Sequence, residues 1–353
     1  MRGNETMTAQ FLEAVPTPDS SWRAIVLFGR NVASYKFALA QALLAVAEGG
    51  ASFVALDDLA VPYARALAAH LANADKQATS ASSRFLDACR AFNRGELAED
   101  RLREATVRLG FANVIDAFHV VNQGVVPTRF FADERAARRP GLALTDDLLR
   151  LAATGQAASL PLEVEARWRL VETAWSLALS PRLLAVRHDP ESGTLFIRRE
   201  GDIRIAVTSA RDALNGYQKG RCFYCGRATA IAPDDDALVD VDHFFPLAQL
   251  YDEGDRIPDH PLNGVWNLVL ACRECNRGVG GKFARVPEGR YLERLHRRNE
   301  FLIASHHPLR ETLSGQTGAT EAARSSFLRE RDRVAIGRLL HRWHPMVEVA
   351  PPF

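Results

Sequence analysis

Val239-Asp240-Val241-Asp242-His243-Phe244-Phe245-Pro246 lies between two cysteine pairs, Cys222-Phe223-Tyr224-Cys225 and Cys272-Arg273-Glu274-Cys275. This stretch decides the reading of the chain. Two C-x2-C knuckles can bring four thiolates to the corners of a tetrahedron, the arrangement of a closed structural zinc site. The competing readings are two chance pairs or a redox C-x-x-C, which would normally occur once, at a helix start. The 46 residues from 226 to 271 are more than a simple zinc ribbon needs, so a further element is built inside the loop. Its first part alternates as a strand and sets Asp242 and His243 on opposite faces. Gly264 to Leu270 reads as a second strand that carries Asn267 into the second knuckle. Asn276 follows Cys275 directly, then come a glycine-rich turn with Lys282 and a basic stretch from Arg285 to Arg298.

These residue types place a candidate base beside oxygen ligands for a hard cation. An imidazole with an ordinary pKa near 6.5 is a suitable base at neutral pH, which points to His243. Asp242 and Asn276 offer oxygen ligands, which suit Mg²⁺ and less readily Mn²⁺. Arg273, Arg277, Arg285 and Lys282 are candidate phosphate contacts, salt-sensitive as a group. Lys282 reads equally well as a solvated loop residue. Asp240 reads as an acid supporting the metal ligands or, with more weight, as an ordinary exposed strand residue.

The order C-x2-C, D-H-x-x-P, N, C-x2-C-N, K resembles the HNH endonucleases with the ββα-metal (His-Me finger) fold, in their zinc-knuckle branch. The run from Arg211 to Gly226 resembles the lead-in helix of that family. The resemblance spans about residues 210 to 310 and leaves the first two hundred untouched. It implies His243 as the base, and Asp242 and Asn276 as holders of one catalytic Mg²⁺. It implies that Asn267 orients the base loop, and that the zinc on Cys222, Cys225, Cys272 and Cys275 is structural. The substrate it implies is DNA, with RNA less favoured, cut to 5′-phosphate and 3′-hydroxyl ends. One such site cuts one strand, so a double-strand break would take two copies. The other reading is a non-catalytic zinc-built module that binds nucleic acid or protein.

The 353 residues suggest about two domains. The expected class is α+β: a mainly helical domain over 1–180, a β-hairpin connector over 181–208 and an HNH domain over 209–353. In the first part, Leu39, Leu43 and Val46 share one helix face; Leu102, Ala105, Leu109 and Ala112 step by three and four; so do Val164, Trp168, Val171, Trp175 and Ala178. The two tryptophans are expected in a core. Cys89 reads as a small buried apolar residue. Leu183 to Val186 and Thr194 to Ile197 flank a Pro–Gly loop and predict a hairpin, with Ile203 to Val207 as a third strand. Ser314 to Thr320 predicts a loop and Glu321 to Trp343 a closing helix. Arg294, Arg297 and Arg298 read as the wet face of a helix that buries Leu295 and Phe301. His306 and His307 read as surface or packing residues.

Lys+Arg 44 against Asp+Glu 43 leaves a formal charge of +1, which says nothing about partners. The distribution is uneven. Ala232 to Leu262 holds nine acids and one base, and Ala271 to Pro345 holds 15 bases against 8 acids, a net of +7. A metal site beside a phosphate-binding face has that pattern, and so do two solvated surfaces of opposite sign. The acidic loop from Leu250 to Pro261 would either hold a second cation or repel DNA from one side. No apolar run is long enough to span a bilayer and the N-terminus lacks a signal-peptide layout, so the expected location is the cytoplasm, with no membrane partner. The first 180 residues are expected to bind a partner protein, to oligomerise or to restrain the nuclease. Joining such a region to this nuclease resembles bacterial anti-phage and restriction effectors; a toxin or a mobile-element nuclease is a further reading.

Overall fold

The computed structural model describes residues 17–28, 32–80, 82–121, 124–176, 185–199, 203–247, 261–304 and 307–349. The chain divides into two compact units, Met1–Ser180 and Pro181–Phe353, and is mixed α+β. No helix among the described residues is long and apolar enough to cross a membrane.

The first unit runs α1 (Pro18–Phe28), α2 (Tyr35–Glu48), β1 (Phe53–Ala55), α3 (Leu56–Asn73), α4 (Arg84–Asn93), α5 (Glu99–Ala105), α6 (Val114–Ala117), β2 (Val120–Val121), β3 (Gly124–Val125), β4 (Phe131–Asp133), β5 (Gly141–Leu144), α7 (Asp146–Ala152) and α8 (Leu160–Ser176). Helix α2 is not the one-faced helix that its leucines suggest. Phe37, Ala38, Leu39, Ala40, Ala42, Leu43, Leu44 and Ala47 are all buried, and a helix apolar on most sides belongs at the centre of a core. The stepped pattern from Leu102 also changes. After Ala105 the chain widens into a π-helical turn, Thr106–Gly110, which shifts the buried face from Leu102 to Thr106 and Gly110 and leaves Ala112 exposed.

Helix α8 buries Val164, Trp168, Val171 and Trp175, so the tryptophans are core residues; Ala178 lies outside the described residues. The Trp168 indole stacks on the His70 ring at 3.5 Å, and its N–H donates to Gln77 Oε1 at 2.8 Å. Cys89 is fully buried, and burial pushes its thiol up to about 12. The unit also holds a small antiparallel sheet, β1-β5-β4, that helical periodicity did not predict. Gly141 starts β5 because a Cβ there would collide with the Phe53 ring and the Val54 carbonyl.

The second unit begins with a three-stranded antiparallel sheet: β6 (Arg187–Asp189), β7 (Thr194–Arg199) and β8 (Ile203–Ser209). The first strand starts later than the apolar run predicts; Leu183 and Leu184 lie outside the described residues. Its turn closes through Gly193, at φ +66°. There follow α9 (Ala210–Gln218), β9 (Asp240–His243), β10 (Leu268–Ala271), α10 (Arg273–Arg277), β11 (Val286–Pro287), α11 (Gly289–Ala304), α12 (Arg310–Thr317), α13 (Glu321–Leu339) and β12 (Arg342–Trp343).

Two expectations change here. Ser314 to Thr317 is helix, not loop, because burial of Leu313 and Thr317 outweighs the roughly 1 kcal/mol that Gly315 costs inside a helix. The closing helix stops at Leu339, and Arg342–Trp343 instead pairs in parallel with Val286–Pro287.

Candidate metal centre and active site

Strands β9 and β10 pair antiparallel, with His243 opposite Leu268 and Asp240 opposite Ala271. Helix α10 follows at once, so the unit's centre is a compact ββα element. Its back is sealed by α9. The Gln218 side chain donates to Leu270 O at 2.8 Å and accepts from Leu270 N at 2.8 Å, acting as a strand partner for β10. Gly264 to Leu270 is not one strand. Val265–Asn267 is a 3-10 turn, and the strand begins at Leu268.

The four cysteines come together from both knuckles. All four are buried and none is in a disulfide. Tetrahedral zinc with sulfur at about 2.3 Å sets neighbouring sulfurs about 3.8 Å apart. The Cys225 and Cys272 sulfurs are 3.7 Å apart, and all four ligand atoms lie within 4.8 Å of one another. The cluster is therefore placed to hold a zinc ion. Gly226, at φ +76°, turns the first knuckle, and its N–H donates to Cys222 O at 3.0 Å. The second knuckle opens α10, with Cys272 as the residue before the helix.

The cysteine cluster and strand β9 are tied by a short polar relay. The Tyr224 hydroxyl, inside the first knuckle, donates to Asp242 Oδ2 at 2.7 Å. Lys282 Nζ donates to Asp242 Oδ1 at 3.0 Å and to His243 O at 2.8 Å. Lys282 is fully buried, so it does not stand on a phosphate-binding surface. A lone buried ammonium is too costly to keep charged, and here the carboxylate compensates it. Burial pushes the Asp242 carboxyl up and the Lys282 ammonium down, and each opposes the other's shift.

Asn276 faces a different acid from the expected one. Its Nδ2 donates to Asp240 Oδ2 at 3.1 Å, and Arg277 clamps the same carboxylate at 2.9 and 3.1 Å. Asp240 and Asp242 share one face of β9, as alternate strand positions do. Asp240 is thus part of the polar face and not a bystander. The carboxylates of Asp240 and Asp242 make that face oxygen-rich, the chemistry that hard cations prefer. Each Asp242 oxygen keeps a lone pair beyond its hydrogen bond to Tyr224 or Lys282.

Asn267 is fully buried and holds the loop that follows His243. Its Oδ1 accepts from Phe245 N at 2.8 Å, and its Nδ2 donates to Phe245 O at 3.0 Å and to Leu262 O at 2.9 Å. The His243 ring is half-buried. Burial, with His188 and Lys282 nearby, lowers its pKa to about 3.

The remaining basic residues divide. Arg273 is exposed, Arg277 is exposed but held by Asp240, and half-buried Arg285 donates to Gly280 O at 2.9 Å and to Gly281 O. Arg294 and Arg298 are buried, not wet: Arg294 reaches Phe223 O and Tyr224 O, and Arg298 reaches Trp266 O at 3.0 Å. Arg297 is exposed. His307 is buried and accepts from Leu309 N at 3.2 Å. His306 and the acidic loop from Leu250 to His260 lie outside the described residues.

Sequence reasoning missed two residues of this region and gave a third, Asp240, too little weight. Tyr224 reads as a knuckle spacer, yet its hydroxyl is the only polar side-chain group between Cys222 and Cys225. The sequence favours an exposed Asp240 over a supporting one, and the structure holds it on Asn276 and Arg277. His188, on β6, carried no motif at all, yet its ring lies 5.7 Å from that of His243. No family model matches this chain, and neither does any curated protein or any solved structure.

Proposed function

We propose that the second unit is a metal-dependent endonuclease of the HNH type that hydrolyses phosphodiester bonds, with DNA as substrate. One observation carries the reading. Asp242 and His243 end the first strand of a ββα element, Asn267 pins the loop after them, and Asn276 stands in the helix next to a four-cysteine cluster. A purely structural zinc module has no need for an imidazole, an oxygen face and a pinned loop side by side.

In this reading Asp242 and Asn276, with Asp240 beside them, hold Mg²⁺ or Mn²⁺, which supplies Lewis-acid charge compensation at the scissile phosphate. His243 is neutral at neutral pH and takes the proton of the attacking water. The water oxygen bonds to phosphorus, the bond from phosphorus to the 3′-oxygen breaks, and that oxygen gains a proton from solvent. The phosphate's negative charge next to the ring favours the imidazolium that forms. Lys282 holds the His243 carbonyl and so the backbone that carries the base. Arg273 is an exposed cation available to the substrate backbone. The first unit would supply recognition, assembly or restraint, as in an anti-phage or restriction effector of the cytoplasm.

A second reading, a zinc-built binding module without catalysis, is favoured by the two protein donors already on Asp242. Supercoiled plasmid with Mg²⁺, Mn²⁺ or EDTA separates the two. Metal-dependent nicking by the wild type and none by His243→Ala supports the nuclease. DNA binding without cleavage under every condition supports the module.

A further inference from the structure

His188 and His243 come from strands far apart in the chain, and their rings meet at 5.7 Å with an interplanar angle of 52°. Both ring nitrogens of His188 are buried without a hydrogen-bond partner among the described residues, and so is His243 Nε2. The 3-10 turn Pro261–Asn263 packs against β6, and Asn263 Oδ1 is buried in the same condition. Native interiors pair nearly all such atoms. Packing does not explain an imidazole at position 188: it is only 6% exposed and sits across from Leu195, where an apolar ring would fill the space without orphaned nitrogens.

We propose that His188 is a positioning residue for His243. It accepts the His243 Nε2 proton, which fixes the tautomer and leaves Nδ1 with the lone pair that takes the proton of water. A partner on one imidazole nitrogen decides which nitrogen carries the proton, and second-sphere groups of this kind orient catalytic histidines generally. Such links are often long in the substrate-free enzyme and tighten in the reacting complex. A neutral imidazole suits this place better than a carboxylate, because it orients the base without adding a negative charge where a phosphate must approach. The role in hydrolysis rests on the nuclease reading; the pairing of the two rings does not.

The test uses the full chain with three proteins: wild type, His188→Phe and His188→Gln. Phenylalanine fills the space without an acceptor, and glutamine restores one. Nitrogen-15 spectra of the histidines should give one Nε2–H tautomer for His243 in the wild type and in the glutamine variant, and a mixture in the phenylalanine variant. With plasmid and Mg²⁺, kcat should fall at least about tenfold in His188→Phe with KM unchanged, and recover most of the way in His188→Gln. If His188→Phe does not fold, His188→Leu takes its place. Wild-type kcat in His188→Phe, or an unchanged His243 tautomer, overturns the proposal. A wild type that never cleaves overturns the nuclease reading, and the spectra still judge the histidine pair.

Discussion

Tyr224 lies between two zinc-knuckle cysteines, and its hydroxyl donates at 2.7 Å to Asp242, the residue next to the candidate base. The cysteine cluster and strand β9 are therefore one mechanical unit. Losing the first disturbs the second through a named bond and not only through general unfolding.

The zinc cluster should be required for the second unit to fold. Structural zinc sites are worth roughly 10–16 kcal/mol in apparent binding energy, as large as the whole net stability of a typical domain. The full chain should carry one zinc, and Cys272→Ser should lose it together with the second unit's cooperative thermal transition. Elemental analysis and calorimetry check this; a metal-free chain with both transitions intact would sink the assignment.

Lys282→Met should destabilise by about 3–5 kcal/mol, because it strands a buried carboxylate. Pairing it with Asp242→Asn should restore much of that loss, since the charge then has no counterpart to miss. A double-mutant cycle in urea measures the coupling. Independent, additive losses would mean that the pair does not interact in solution.

Asn267→Ala removes an acceptor and two donor contacts at a fully buried site. Each orphaned backbone group costs roughly 1–3 kcal/mol, so the loop after His243 should loosen. Hydrogen exchange should rise at Phe245 before it rises in β10. Unchanged protection at Phe245 would refute this role of Asn267.

Stability should fall on acidification. The folded-state pKa is lowered by burial to about 4 for His188 and about 3 for His243, below the ordinary value. Between about pH 4 and 6.5 the unfolded chain binds protons that the folded chain refuses, so stability rises with pH across that window and is lost as pH falls. His188 alone accounts for up to about 3 kcal/mol of this. Urea midpoints taken from neutral pH to about pH 4 should drop, and drop less in His188→Phe. An equal slope in both proteins would place the titration elsewhere.

Much of the second unit was legible in the sequence because its signals are local. Each C-x2-C spacing holds two sulfurs together wherever the chain runs, and the Asp240 to His243 alternation is a property of adjacent residues. The lead-in helix follows from short-range pattern in the same way. Other features depend on partners that no local pattern names. The three-residue strands β1 and β4 are too short to show a period, and they exist because β5 pairs with both. Lys282 looks solvated until Asp242 arrives from a strand forty residues earlier and makes burial affordable. Asn276 could face either acid of β9, and only the packing of α10 selects Asp240. The sequence alone thus determined the two cysteine pairs and the kinds of side chain near them. The tertiary structure decided which of them meet, because a buried charge or imidazole takes its role from what is packed against it, and that contact is made across the fold.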